Sequence, residues 1–238
     1  MDKSQPPFSS RRALAYGAGL LAGAWATYAT ATWLWYGHVQ EALVGEQDPL
    51  LDRFMPAYEV VERHRLRVSA PPGVAYQVAC DVDLQRSPLI RAIFFCRERM
   101  KAARRDASVH PRGLLAFTKS LGWGVLAEVP GREIVVGAVT EPWQPNVVFS
   151  AIEPHRFAAF DDPGYVKIAW TIRVDSIGPG ESLLRTETRV VATDSVARRR
   201  FRRYWAIYSP GILAIRYAAL RLVKTDAERL VSEPLSEQ

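Results

Sequence analysis

The chain has 238 residues, 48% of them hydrophobic and 24% charged, with 31 lysines and arginines against 25 aspartates and glutamates for a formal charge of +6. That composition suits one globular domain with an additional segment and excludes a disordered or low-complexity chain. The positive excess is compatible with anionic surfaces and too small to call for nucleic acid.

The additional segment comes first. After a short stretch, residues 1–12, Ala13 to Tyr36 reads ALAYGAGLLAGAWATYATATWLWY, 24 residues without a charge. At a rise of ~1.5 Å per residue a helix of this length spans the ~30 Å hydrocarbon layer of a bilayer. Trp33, Trp35 and Tyr36 cluster at its far end as an interfacial belt does, while Lys3, Arg11 and Arg12 flank its near end. The expectation is a single-pass anchor with a cytoplasmic N-terminus and the rest of the chain outside. Ser10-Arg11-Arg12-Ala13-Leu14 also resembles a twin-arginine export signal, with Ala29-Thr30-Ala31 as its cleavage site, which leaves an exported soluble domain as the alternative. The run is long for a signal core and ends in aromatics, so the anchor is preferred. Small residues at Ala15, Gly19, Gly23, Thr27 and Ala31 leave open a homodimer through this helix.

Residues 37–57 read as a linker, residues 58–230 as the folded domain and residues 231–238 as a tail. Glu59 to Val68 alternates enough to be a strand, and Pro71-Pro72-Gly73 ends it and opens a helix from Val74 to Asp83. A second helix, Pro88 to Arg105, carries Leu89, Ile90, Ile93, Phe94 and Met100, and a basic loop follows to Arg112. The pattern then turns to β. Trp123 to Val129, Ile134 to Thr140, Asn146 to Ile152, Val166 to Ser176 and Ser182 to Ala192 are separated by proline and glycine turns and predict antiparallel hairpins. A long helix from Ser195 to Leu230 closes the chain. The order predicts an α+β fold in which a curved antiparallel sheet wraps the terminal helix.

Val68-Ser69-Ala70-Pro71, FAAFDDPGYVKIAW (Phe157 to Trp170), LLRTETRV (Leu183 to Val190) and ARRRFRRYW followed by SPG and IR (Ala197 to Arg216) carry a resemblance over residues 58–230. The chain resembles a bacterial branch of the START-related helix-grip superfamily, the SRPBCC or polyketide cyclase/dehydrase-like proteins. The resemblance implies a helix-grip fold and a ligand cavity between sheet and helix. It carries over no catalytic residue, and the N-terminal span departs from the superfamily's soluble members.

The terminal helix opens with five arginines in the six residues Arg198–Arg203. An apolar stripe through Phe201, Tyr204, Tyr208, Ile212, Ile215, Ala219 and Leu222 leaves most of these cations on the other side. The first turn of a helix disfavours cations, so compensation is expected: Asp194 as part of a cap, and ion pairs from Arg200 or Arg203 to Glu187 or to Asp161. Contact of the arginines with lipid phosphates is the alternative. Ser209-Pro210-Gly211 predicts a kink or restart.

Chemistry has little footing here. His38, His64, His110 and His155 are isolated from one another, so neither a metal nor a cofactor is expected, and nucleophile-elbow and nucleotide-loop motifs are lacking. Cys80 and Cys96 read as two buried thiols, with a disulfide left open for an exported domain. Aromatic residues supply the ligand-pocket candidates: Trp123, Trp143, Phe149, Phe160, Trp170, Tyr204 and Tyr208. The sequence therefore predicts a membrane-tethered, non-catalytic module for a hydrophobic or amphipathic small molecule or lipid, with no nucleic-acid partner. A polyketide-cyclase-like enzyme with one cavity acid or base, and an interaction module with a packed interior, are its rivals.

Overall fold

The computed structural model describes residues 8–101 and 111–233. A helix α1 (Phe8–Trp35) leads into a short helix α2 (Pro49–Asp52) and the first strand, β1 (Val60–Val68). Helices α3 (Pro72–Asp81), α4 (Pro88–Lys101) and α5 (Leu114–Ser120) follow, with a 3-10 turn at Leu84–Arg86 between the first two. Strands β2 (Gly124–Val129), β3 (Glu133–Thr140) and the short β4 (Phe149–Ser150) precede helix α6 (Pro154–Phe157). The hairpin β5 (Val166–Gly178) and β6 (Glu181–Ala192) then feeds the terminal helix α7 (Ser195–Ser232). The basic loop expected before Arg112 lies almost wholly outside the described residues, as does most of the expected tail.

All strand pairs are antiparallel, in the order β1-β6-β5-β3-β2 with β4 on β3. This is an α+β fold with a helix-grip arrangement, a curved sheet carrying one long helix across its inner face. Alternation along each strand sends Leu66, Ile134, Val136, Ile172, Val174 and Leu184 inward, where they meet α3 and the Leu220, Val223 and Ala227 face of α7. A second inner cluster surrounds the start of α7, with Phe201, Tyr204 and Trp205 against Val60, Val166 and Val190.

The outer face is covered by the stretch read as linker. Leu51 and Met55 from α2 and its exit pack fully buried with Val135, Phe157 and Ala169. Asp48 caps α2 by accepting from Leu51 N at 2.9 Å. Gly137 in β3 is required here, because a Cβ would come within 2.6 Å of Leu126 Cδ1 and 2.8 Å of the Phe157 ring.

The start of α7 is capped by Asp194, which accepts from Val196 N at 2.6 Å, from Ala197 N at 2.8 Å and from Gly164 N. These amides hold its carboxyl below the usual aspartate range, and the carboxylate offsets part of the arginine charge at the positive end of the helix. The ion pairs differ from those expected. Glu187 binds Arg189 (2.7 Å) and Arg63 (3.2 Å), since alternation along β6 turns it to the outer face, away from α7. Asp161 acts on Lys167 instead, whose Nζ donates to Ala158 O at 2.8 Å. Within the arginine run at the start of α7, Arg198 pairs with Glu59, Arg200 lies over the Trp143 ring at 6.0 Å and Arg203 is exposed.

No restart occurs at Ser209-Pro210-Gly211: α7 runs through it over 38 residues. Pro210 deprives the Ala206 carbonyl of its helical donor. Gly211 meanwhile lets α4 approach, with Ile93 Cγ2 only 3.2 Å from where a Cβ would stand. Among the described residues, α7 is the helix long and apolar enough to cross a membrane, with a mean hydropathy of 1.2 over its richest window. The segment expected to be the span, α1, falls short because glycine, threonine, tyrosine and tryptophan dilute its alanines and leucines. Yet α7 buries Phe201, Trp205, Leu220 and Val223 within the domain, whereas every described side chain of α1 from Arg12 to Tyr28 is exposed.

Candidate functional site

Between the inner face of the sheet, α7 and the α3–α5 layer lies a cavity of about 950 Å³. That is the upper end of the ~300–1,000 Å³ usual for small-molecule sites. Trp123, Trp170, Ile172 and Leu184 form its floor. Ile212, Ile215, Ala219 and Val223 form the α7 wall, at the spacing of one helical stripe. Phe94 and Phe117, from α4 and α5, stand opposite.

The aromatic floor is fixed by local backbone chemistry. Gly122 has φ +99°, and a Cβ there would lie 2.2 Å from the Phe149 carbonyl oxygen, so only glycine lets this turn abut β4. The close approach sets the Trp123 ring 4.9 Å from Phe149, and Trp123 meets Trp170 edge-on at 6.4 Å.

Three of the seven aromatic candidates, Trp123, Phe149 and Trp170, line the cavity. The others do not. Tyr204 and Tyr208 stack 4.9 Å apart in the cluster around Phe201, Trp143 packs on the same cluster, and Phe160 pairs with Tyr165 at 6.0 Å. They lie on the first turns of α7 or near them, and the hollow opens only beyond Ser209.

Polar groups punctuate the apolar wall. Arg91, Arg97 and Arg216 all line it, along with Thr186 and Asn146, and no aspartate or glutamate does so among the described residues. Arg216 was overlooked as a site residue although its spacing announces it: it follows Ile212 by four and precedes Ala219 by three, which puts a cation on the apolar stripe. Burial pulls its guanidinium down to about 10, still charged at neutral pH. Beside it on β1, burial pushes the Glu62 carboxyl up, against the pull of Arg216, and burial and then Arg216 push the His64 imidazole down. His64 stands edge-on to Tyr217 at 4.9 Å, with its Nε2 buried and without a hydrogen-bond partner among the described residues.

On the outer face the deepest cation is paired instead. Arg189, fully buried, donates to Glu187 Oε1 (2.7 Å), Asp52 Oδ1 (2.6 Å) and Met55 O (2.7 Å), and lies over the Tyr58 ring at 4.5 Å. The two thiols are free, Cys80 buried and Cys96 exposed, and burial holds Cys80 up at about 11. Among the described residues no cluster of His, Cys, Asp and Glu has the makings of a metal site.

Neither a protein-family model nor a curated protein matches the sequence. Among solved structures, a hypothetical protein from Helicobacter pylori matches over 79% of this chain and 98% of its own, at 8% identity and a TM-score of 0.38. The Zhui aromatase/cyclase from Streptomyces sp. R1128 matches over 75% and 99%, at 12% identity and 0.31. A Chromobacterium violaceum protein matches over 71% and 96%, at 14% identity and 0.30. The fold assignment rests on the chain's own strand order and registers, and the reading of the site on its own residues.

Proposed function

We propose that this chain is a membrane-tethered helix-grip module that takes up a hydrophobic or amphipathic small molecule, or a lipid, between its sheet and α7 without covalent chemistry. The observation that carries the reading is the cavity of about 950 Å³ floored by Trp123 and Trp170 and walled by the apolar stripe of α7. Such a volume is larger than the side chains of a packed core leave empty, which weighs against the rival of a closed interaction module. The tether is α1: its uncharged stretch from Ala13 onward, whose described side chains up to Tyr28 are exposed, calls for an apolar surrounding, and Arg11 and Arg12 in its first turns favour a cytoplasmic start.

A second reading has one observation in its favour. Glu62 with a raised carboxyl, His64 with a lowered imidazole and Arg216 form a buried polar group beside the cavity, the kind of environment that tunes an acid or base. In a cyclase-like enzyme His64, neutral at pH 7, would be the base.

Native mass spectrometry of the full chain, followed by extraction of whatever it carries, tests both. A reproducible apolar or amphipathic species at one copy per chain is the expected outcome. A folded, empty protein counts against the carrier and leaves the enzyme.

A further inference from the structure

The geometry points to an anion-selective subsite in the cavity: Arg216 receives the carboxylate or phosphate head of an amphipathic ligand whose apolar tail lies along the Trp123–Trp170 floor. This rests on the reading of the cavity as a ligand site and names the chemistry it accepts.

Three arginines, Arg91, Arg97 and Arg216, line one enclosure, and among the described residues no carboxylate shares its wall. A guanidinium held in an apolar setting is costly unless an anion meets it. On the outer face Arg189 has two carboxylates within 2.7 Å. Arg216 has nothing comparable: its Nε is buried without a hydrogen-bond partner among the described residues, and Glu62, the acid whose charge it feels, forms no ion pair with it. Arg97 Nε is left the same way.

The other two arginines are partly spoken for. Arg91 donates to Gln85 O at 2.8 Å, and Arg97 is engaged with Tyr204, which it draws downward against burial. Arg216 is therefore the least engaged of the three cations. Its planar fork matches a carboxylate or a phosphate at two points. Thr186, on β6, lines the same cavity.

Apart from Gln85, Thr118, Asn146 and Thr186 the rest of the cavity wall is aromatic and aliphatic, so a bare inorganic anion would leave the floor unused and a plain hydrocarbon would leave Arg216 unmet. Head and tail together satisfy both.

Isothermal titration of the full chain in phosphatidylcholine nanodiscs, against protein-free nanodiscs, decides the matter with four probes: decanoate, decyl phosphate, decanol and inorganic phosphate. Both amphipathic anions are expected to bind about tenfold tighter than decanol, or more, the scale of a charge-assisted contact. Arg216→Leu is expected to abolish that preference while leaving decanol within about twofold of its wild-type affinity, and Arg216→Lys to keep part of it. Equal binding of decanol and decanoate to the wild type overturns the subsite while the cavity reading stands. So does an undiminished preference in Arg216→Leu, or inorganic phosphate binding as tightly as decyl phosphate. No binding by any probe overturns the cavity reading itself. The wild-type ranking decides the point if Arg216→Leu does not fold.

Discussion

The two faces of the sheet are built from the same strands and solve opposite problems. The outer face takes in charge and closes over it: Arg189, Glu187, Arg63 and Asp52 neutralise one another while Leu51 and Met55 fill the gaps. The inner face takes in less charge and stays hollow, with Arg216 left facing space. A buried cation alone thus says little; what distinguishes a structural arginine from a receptive one is whether its donors are already occupied.

The largest test of that contrast is Arg189→Leu. It removes the closer of the two cations on the buried Glu187 carboxylate, leaving Arg63 alone, and is expected to cost about 3–5 kcal/mol in chemical denaturation, the range for breaking a buried pair from one side. Arg216→Leu, which removes a cation with no partner, is expected to leave the unliganded fold unchanged or firmer. Equal losses from the two would erase the distinction.

Acidity offers the next test. Asp48 and Glu133 are both buried on the outer face, and burial followed by the neighbouring Asp48 carboxyl raises Glu133 to about 7. Its folded value lies above the ordinary 4.5, so the folded state holds the proton more tightly. The stabilisation is complete below about pH 4.5 and is lost as pH rises through 7. After solvent screening of a half-buried, coupled pair the fall is expected to be about 1–2 kcal/mol between those limits, and thermal melts of Glu133→Gln should lack it. A wild-type melting temperature flat from pH 5 to 8 would remove the proton from this contact.

Bulk separates the faces with a smaller effect. Val135→Phe on the filled side should cost about 1–3 kcal/mol by overpacking, whereas Ala219→Phe on the hollow side should cost less than ~1 kcal/mol and block ligand uptake. If Ala219→Phe proves as damaging as Val135→Phe, the cavity is not room that the fold can spare.

Much of this was legible beforehand, and the reason is periodicity. The two-residue repeat of Val166 to Ser176 and Ser182 to Ala192, bounded by Gly178-Pro179-Gly180, marks a hairpin within two residues of its limits. The α7 stripe and the Asp194 cap are equally local signals. What escaped depends on contacts far apart in sequence. Residues 48–55 read as linker because proline, charge and short length conceal a helix of four residues, and only the sheet reveals that Leu51 belongs to the core. The helix α5, Leu114–Ser120, passed unassigned for the same reason, so half of the cavity's far wall, Phe117 included, was missed. Aromatic type does not separate Trp123 and Trp170, which line the hollow, from Tyr204, which does not, since type does not say which end of α7 overlooks it. Glu187 was paired with the wrong arginines because strand parity, readable in principle, was not carried across to the register Arg63↔Glu187.

The clasp between α1 and α7 has a mechanical consequence. Arg202 donates to Trp33 O at 2.8 Å with its guanidinium 4.3 Å from the Trp33 ring, Ser209 donates to Tyr28 at 3.3 Å, and Tyr36, just past α1, donates at 2.7 Å to Glu59, which in turn binds Arg198 of α7. The two helices are thus riveted at several points along one edge, and the first of the pair cannot pivot without carrying the second. Whatever surface seizes α1 also sets the bearing of the cavity's wall, so the module behaves as a bracket with a fixed heading and not as a float on a line.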